Sequence, residues 1–347
     1  MNWKPTAVLS LRDKTLTRIS FPLVFFVTYA VLVQLAWTVA LGATETLMFA
    51  AYYVFNLFIF SAVALRCVRD PGFPILVVYL VLTSVMLQTA LSVPGLGSFS
   101  DSRRVIFFQN PNQLGYYSLL SAAILVIGVR KKVLSTSIFI FGMLGCVWLA
   151  QLSLSKAAMA AIALLLAYGG LRNIKSAIWG AVSIVAVLGF GILDDRVDLI
   201  ETRFEGVGEQ SDDSVAGRGY DRIWLHPEMT ILGAGEGAYQ RWTSFLEDAE
   251  MHSSWGTILF SYGVPGALAM LIFLGRISFK FGLASLVPMA AIFLYGVTHM
   301  GLRFVPMWIF FGLIAGIHAC EMRVKRARMQ SSVAPQQLQY PPPFIQK

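Results

Sequence analysis

A chain of 347 residues that is 56% hydrophobic and only 13% charged, with a mean hydropathy of +0.67, has too few polar side chains to clothe a water-soluble globule. It reads as an all-α, polytopic integral membrane protein. The net charge of +8 then reports how loops are charged rather than a nucleic-acid-binding surface.

Hydrocarbon about 30 Å thick takes about 20 apolar residues to cross, and those residues must be helical because lipid offers no partner to an unpaired amide. Ten runs answer to this: 19–41, 47–65, 73–93, 114–129, 133–150, 157–171, 176–193, 255–275, 282–297 and 304–319. The first lacks a small-residue cleavage site and leads at once into the second, so it reads as a retained span. Residues 1–328 are expected to form one membrane domain, interrupted by a single long polar loop at 194–254. From 329 to 347, with Pro341, Pro342 and Pro343, the chain loses periodicity and reads as a disordered cytoplasmic tail.

Loop charge sets the orientation, since lysine and arginine stay on the cytoplasmic side. Eighteen of the 27 basic residues and three of the 19 acids fall in one set of loops, leaving +15 on that face and −7 on the other. Both termini are therefore expected inside and the 194–254 loop outside. Cys67, Cys146 and Cys320 lie in an inner loop or within spans, so no disulfide framework supports the outer loop and no cysteine cluster suggests a metal.

Taken in chain order, the outer-face features begin with Asn110-Pro111-Asn112-Gln113-Leu114-Gly115, where Asn110 can cap the fourth span and Pro111 can take its first helical position. Ser153-Leu154-Ser155-Lys156 follows, at a return with almost no loop. Lys156 there either snorkels to headgroups or offers a point charge to a phosphate. In the long loop, Gly217-Arg218-Gly219-Tyr220-Asp221-Arg222-Ile223-Trp224 predicts a short helix ended by Pro227, with Arg218 and Arg222 four apart on one face. Like charges so placed repel unless an anion such as a diphosphate lies between them, or unless Asp212, Asp213 or Asp221 neutralises them.

Gly233-Ala234-Gly235-Glu236-Gly237 lacks the strand, crossover helix and distal acid of a dinucleotide site, and reads instead as a tight backbone turn against a ligand or another helix. His252 directly precedes Ser253 and Ser254, which can cap the eighth span. A helix N-terminus disfavours imidazolium, which suits a general base. Pro265 should kink that span and release a carbonyl near its middle. His299 and Arg303 occupy the last outer return, where ionisable groups are either functional or interfacial.

The order of NPNQLG (110–115), LSLSKAAM (152–159), GRGYDRIW (217–224), HPEMTILGAGEGAY (226–239) and MHSSWGTILFSYGVPG (251–266) resembles the bacterial O-antigen ligase and polysaccharide polymerase superfamily over residues 107–316. The resemblance implies a multi-pass inner-membrane glycosyltransferase without cofactor or required metal. It would move a glycan en bloc from an undecaprenyl-diphosphate carrier to a hydroxyl acceptor on the periplasmic face. Partners implied are the lipid-linked donor, a glycan or lipid A core acceptor, membrane lipid and a chain-length regulator. By the same resemblance Arg218 and Arg222 would hold the diphosphate, His252 would be the acceptor base and Lys156 an auxiliary phosphate contact; His299, Arg303, Asn110 and Asn112, on the same outer face, are further auxiliary candidates. Lys156 stands where many relatives carry arginine, and two loop arginines stand where many carry one.

Polymerisation of repeat units is the reading preferred over ligation to lipid A core, because the loop is modest in size. Transport of the lipid-linked glycan is the rival of another class. It predicts broken helices and buried charges within the spans.

Overall fold

The computed structural model describes residues 14–92, 106–171, 214–245, 249–279 and 283–333. Among these the architecture is wholly helical. The principal helices are α1 (Lys14–Leu41), α2 (Leu47–Arg69), α3 (Phe73–Leu91), α4 (Pro111–Arg130), α5 (Thr136–Ser153), α6 (Lys156–Leu171), α7 (Ser254–Phe279), α8 (Leu283–Thr298) and α9 (Val305–Val333). Seven of them are long and apolar enough to cross a membrane, and α6 and α8 are shorter apolar helices of 16 residues each. These nine coincide with nine of the ten expected spans. The tenth, 176–193, lies outside the described residues.

The bundle is apolar on both its inner and its outer sides. Leu23, Phe26, Tyr53 and Phe60 are buried, while Phe21 on α1, Phe58 on α2, Leu80 on α3 and Leu271 on α7 are more than half exposed. Water would not tolerate that outer surface and lipid does, so this is the fold of a multi-pass membrane protein. Burial is greatest in α4, at 78% of its apolar window, and least in α3, at 22%, which places α4 at the centre and α3 at the rim.

Close approach replaces the hydrophobic effect as the force between helices in lipid. Gly312 and Gly316 on α9 face α2 so tightly that a Cβ would lie 2.7 Å from Phe60 O and 2.5 Å from the Cys67 Cβ, respectively. Polar contacts close the two ends. At one, Lys131 pairs with Glu321, Arg66 pairs with Asp70 at 3.2 Å, and Arg276 donates to Arg18 O. The other end carries the loop residues of interest.

Two expectations change. The chain remains helical past Met329 to Val333, because Ala327, Arg328, Met329 and Gln330 are strong helix formers that extend α9; the rest of the expected tail lies outside the described residues. The 217–224 stretch is not one helix. A 3-10 turn at Ala216–Arg218 ends at Gly219, whose φ of 78° starts a new turn at Asp221–Leu225. Arg218 and Arg222 therefore do not share a helical face.

Helix α7 is broken as Pro265 predicts. Pro265 has no N–H for Ser261 O, and Gly263 adopts φ 60°, ψ −171°, so the carbonyls of Phe260 and Ser261 lose their helical partners. A strap from the long loop takes them up: Ala234 N donates to Phe260 O and Gly235 N to Ser261 O, both at 2.9 Å. The two chains meet at glycines. A Cβ on Gly233 would lie 2.5 Å from Ser261 O, and one on Gly263 would lie 2.7 Å from Ile231 O.

Gly263→Ala should lower the melting midpoint of the detergent-purified protein strongly, since that backbone region costs a non-glycine residue about 1–3 kcal/mol before any clash. Wild-type melting would mean the strap does not close the break. The charge partition makes a separate prediction for orientation, tested in a Cys320→Ser background. Single cysteines at the exposed positions Gln240 and Lys325 should react with an impermeant reagent from opposite sides of the membrane, Lys325 from the cytoplasm; labelling from one side alone would overturn the arrangement.

Candidate active site

The start of α4 is a capped helix. Asn110 is extended and its side chain accepts from Gln113 N at 2.9 Å, Pro111 takes the first position, and Gln113 Oε1 accepts from Gln109 N at 3.2 Å. Asn112 O accepts from the Tyr295 hydroxyl at 2.7 Å, which ties this start to α8. One turn on, a Cβ at Gly115 would lie 2.9 Å from both Ser153 Oγ and the Ser155 Cβ. The two motifs therefore pack against each other. The α5–α6 return needs only two residues because Leu154 is left-handed (φ 49°), and Ser155 then caps α6, at whose first position Lys156 lies half-buried.

Ser253 caps α7, its Oγ accepting from Gly256 N at 3.0 Å. The Tyr220 hydroxyl donates to Val297 O at 2.7 Å and lies 2.6 Å from Ser253 Oγ, so the loop is fastened where α7 begins and α8 ends. Ser254 fixes the α8–α9 return: its N–H and its hydroxyl both donate to His299 O, at 3.1 and 2.9 Å, and its Oγ accepts from Gly301 N at 2.8 Å. The His299 ring lies against Tyr295, with centroids 4.6 Å apart.

His252 sits within this frame. Its N–H donates to Arg218 O at 3.0 Å, and the Arg218 guanidinium donates to Thr298 O. These contacts bring Arg218, His252 and His299 together at one end of the bundle. The imidazole of His252 is half-buried, and no residue among those described hydrogen-bonds to it.

Arg222 behaves differently from Arg218. It is fully buried, donates through Nε to Ser244 Oγ at 3.0 Å and through Nη2 to Ala249 O at 2.7 Å, and stands 5.4 Å over the Tyr239 ring. Its neighbour Asp221 accepts from Phe245 N at 2.6 Å, so the acid shapes the loop. Arg222 links the short helix to Ser244 and Ala249, whereas Arg218 is only half-buried beside His252.

Two residues that carried no role in the sequence reading dominate the electrostatics. Glu236 is buried; its Oε1 accepts from the Tyr53 hydroxyl at 2.5 Å and the Tyr262 hydroxyl at 2.7 Å, and its Oε2 lies 3.8 Å from Arg303 Nε. Burial pushes this carboxyl up from the usual range, against the pull of Arg303 and the two tyrosines. Arg303 also pairs with Glu250 and stands 5.0 Å over the Phe49 ring. Burial alone would lower its guanidinium, but Glu236 and Glu250 outweigh that and the net direction is up. With its charge matched by two carboxylates, Arg303 is poorly suited to hold a phosphate.

Arg241 is the second. Its guanidinium lies between Trp37 and Trp242, 4.4 and 4.5 Å from the ring centroids, and donates to Ala234 O. Burial pushes it down to about 10. A glutamate between glycines and an arginine before a tryptophan gave a linear sequence no cue, because Glu236 meets Gln34, Tyr53, Tyr262 and Arg303, and Arg241 meets Trp37, all distant along the chain.

Arg222→Ala should cost about 3 kcal/mol of stability, from two lost charge-assisted bonds in a buried setting. A thermal melt that drops sharply for Arg222→Ala and little for Arg218→Ala would separate the two residues' roles. Equal small drops would show that Arg222 is not a loop tether.

Compared with known proteins, the chain matches no family model and no curated protein.

Proposed function

We propose that the protein is a membrane glycosyltransferase that moves a glycan from an undecaprenyl-diphosphate carrier to an acceptor hydroxyl at the outer face, as a polysaccharide polymerase. The observation that carries this reading is the half-buried His252 ring, without a protein hydrogen-bond partner among the described residues, held by backbone bonds beside Arg218 and the α8–α9 return. A base needs an accessible nitrogen in a fixed frame, and a leaving diphosphate needs fixed positive charge next to it.

In the reaction the acceptor oxygen bonds to the anomeric carbon while the bond from that carbon to the diphosphate oxygen breaks. His252 takes the acceptor's proton, and the electron pair leaves with the diphosphate. Arg218 faces the developing charge there, and Lys156, at the α5–α6 return that packs on the start of α4, supplies a second cation. Arg222 holds the shape of the loop. The resemblance of the motif order to the O-antigen ligase and polymerase superfamily supports the same assignment of His252 and Arg218.

One observation favours a second reading. The break in α7 and the buried Glu236 are features of transporters, in which unwound backbone and buried charge line a substrate path. Here the two released carbonyls are taken up by strap amides and the Glu236 Oε1 by two tyrosines, which supports a docking role over a path.

Reconstitution with an undecaprenyl-diphosphate oligosaccharide decides among these. A ladder of products is expected. One shifted lipid A core band would make the protein a ligase, and intact donor moved across the bilayer would make it a transporter. His252→Ala should lower turnover by roughly 10² to 10⁴-fold with donor binding little changed. Donor binding that falls in step with turnover would remove His252 as the base.

A further inference from the structure

A carboxylate shut inside a membrane bundle is costly unless it is held from several sides, and Glu236 is held from three helices. Gln34 of α1 grips its backbone in both directions: Glu236 N donates to Gln34 Oε1 at 2.7 Å, and Gln34 Nε2 donates to Glu236 O at 3.1 Å. Tyr53 of α2 and Tyr262 of α7 both donate to Oε1. The two tyrosine rings stand edge to face at 5.3 Å, and Phe26 meets each of them in the same way. The position of Glu236 is thus set by the apolar core.

What this fixed carboxylate faces is Arg303. Its Oε2 accepts no hydrogen bond and is turned toward the guanidinium at 3.8 Å. The other side of Arg303 pairs with Glu250, two residues before His252. Arg303 is therefore caught between an immobile acid in the bundle and an acid on the segment that delivers the histidine. We infer that Glu236 and Arg303 are positioning residues for His252: through Glu250 they peg the 250–252 segment to α2 and α7, complementing the hydrogen bond from His252 N to Arg218 O.

This inference rests on the reading of His252 as the acceptor base, and it makes a mechanical claim that stands apart from activity. A tether contributes to catalysis by holding the base in reach of the proton. A displacement of about 1 Å can cost on the order of a hundred-fold in rate while leaving ground-state binding intact.

The experiment uses the full-length protein with two conservative substitutions, Glu236→Gln, which keeps the size and the acceptor oxygen for the tyrosines, and Glu250→Gln, at a partly exposed site. The exposed Glu228→Gln in the same loop serves as control. In the transfer assay both tether variants should lose about ten- to a hundred-fold in kcat with donor KM and melting midpoint close to wild type, and the control should lose nothing. In parallel, His252→Cys in a Cys320→Ser background reports the segment directly. Maleimide labelling of Cys at 252 should speed up several-fold when Glu236→Gln or Glu250→Gln is added.

Labelling rates equal to the parent's in both variants would overturn the tether, whatever the activity. If the wild-type protein transfers no glycan but labelling speeds up as expected, the tether stands and the glycosyltransferase reading falls. A rise in donor KM without loss of kcat would place Glu236 and Arg303 in donor binding and overturn the inference.

Discussion

Every backbone carbonyl in the low-dielectric part of a membrane bundle must find a donor, and the organisation of this protein follows from how one break in that rule is repaired. Pro265 cannot donate to Ser261 O and Gly263 turns the chain out of helical register, so α7 presents two carbonyls with no partner of its own. The strap at residues 233–235 supplies them with two amides. Strap and helix can approach that closely only because both carry glycine at the crossing.

Docking the strap has consequences for everything near it. The residue that follows, Glu236, is carried into the aromatic core between Tyr53 and Tyr262, and its charge then has to be matched there. Arg303 matches it and in turn takes Glu250, so the helix break, the buried acid and the approach to His252 form one connected structure. Trp37 donates to Gly233 O at 3.0 Å and Tyr29 to Leu232 O at 2.7 Å, so α1 closes the strap from its other side. The chemistry proposed for the loop thus depends on contacts made within the bundle.

The arginines at this end of the bundle divide by the partners they have found. Arg303 faces carboxylates; Arg241 faces two tryptophan rings and a carbonyl; Arg218 donates to the last carbonyl of α8, where the helix dipole is negative. The positive field of a guanidinium set between two glutamates, as in Arg303, is largely matched by theirs. Both lie at the same end of the fold, Arg218 half-buried beside His252 and Arg303 between Glu236 and Glu250.

Much of this was legible in the sequence, and the rest had a definite reason not to be. Apolar runs about one bilayer thick predicted nine of the helices seen, since the length of a span is set by the membrane and not by its neighbours. Asn110 with Pro111, Ser153 to Lys156, and Ser253 acted as helix ends because capping is a local interaction among residues within one turn. The kink at Pro265 was local too. The single helix expected over 217–224 failed because Gly219 accepts a left-handed backbone that periodicity does not register. Glu236 lay wholly beyond the sequence: its partners come from positions 34, 53, 262 and 303. Only the packed bundle brings those positions together, since a buried charge is stabilised by neighbours in space, which lie far apart along the chain.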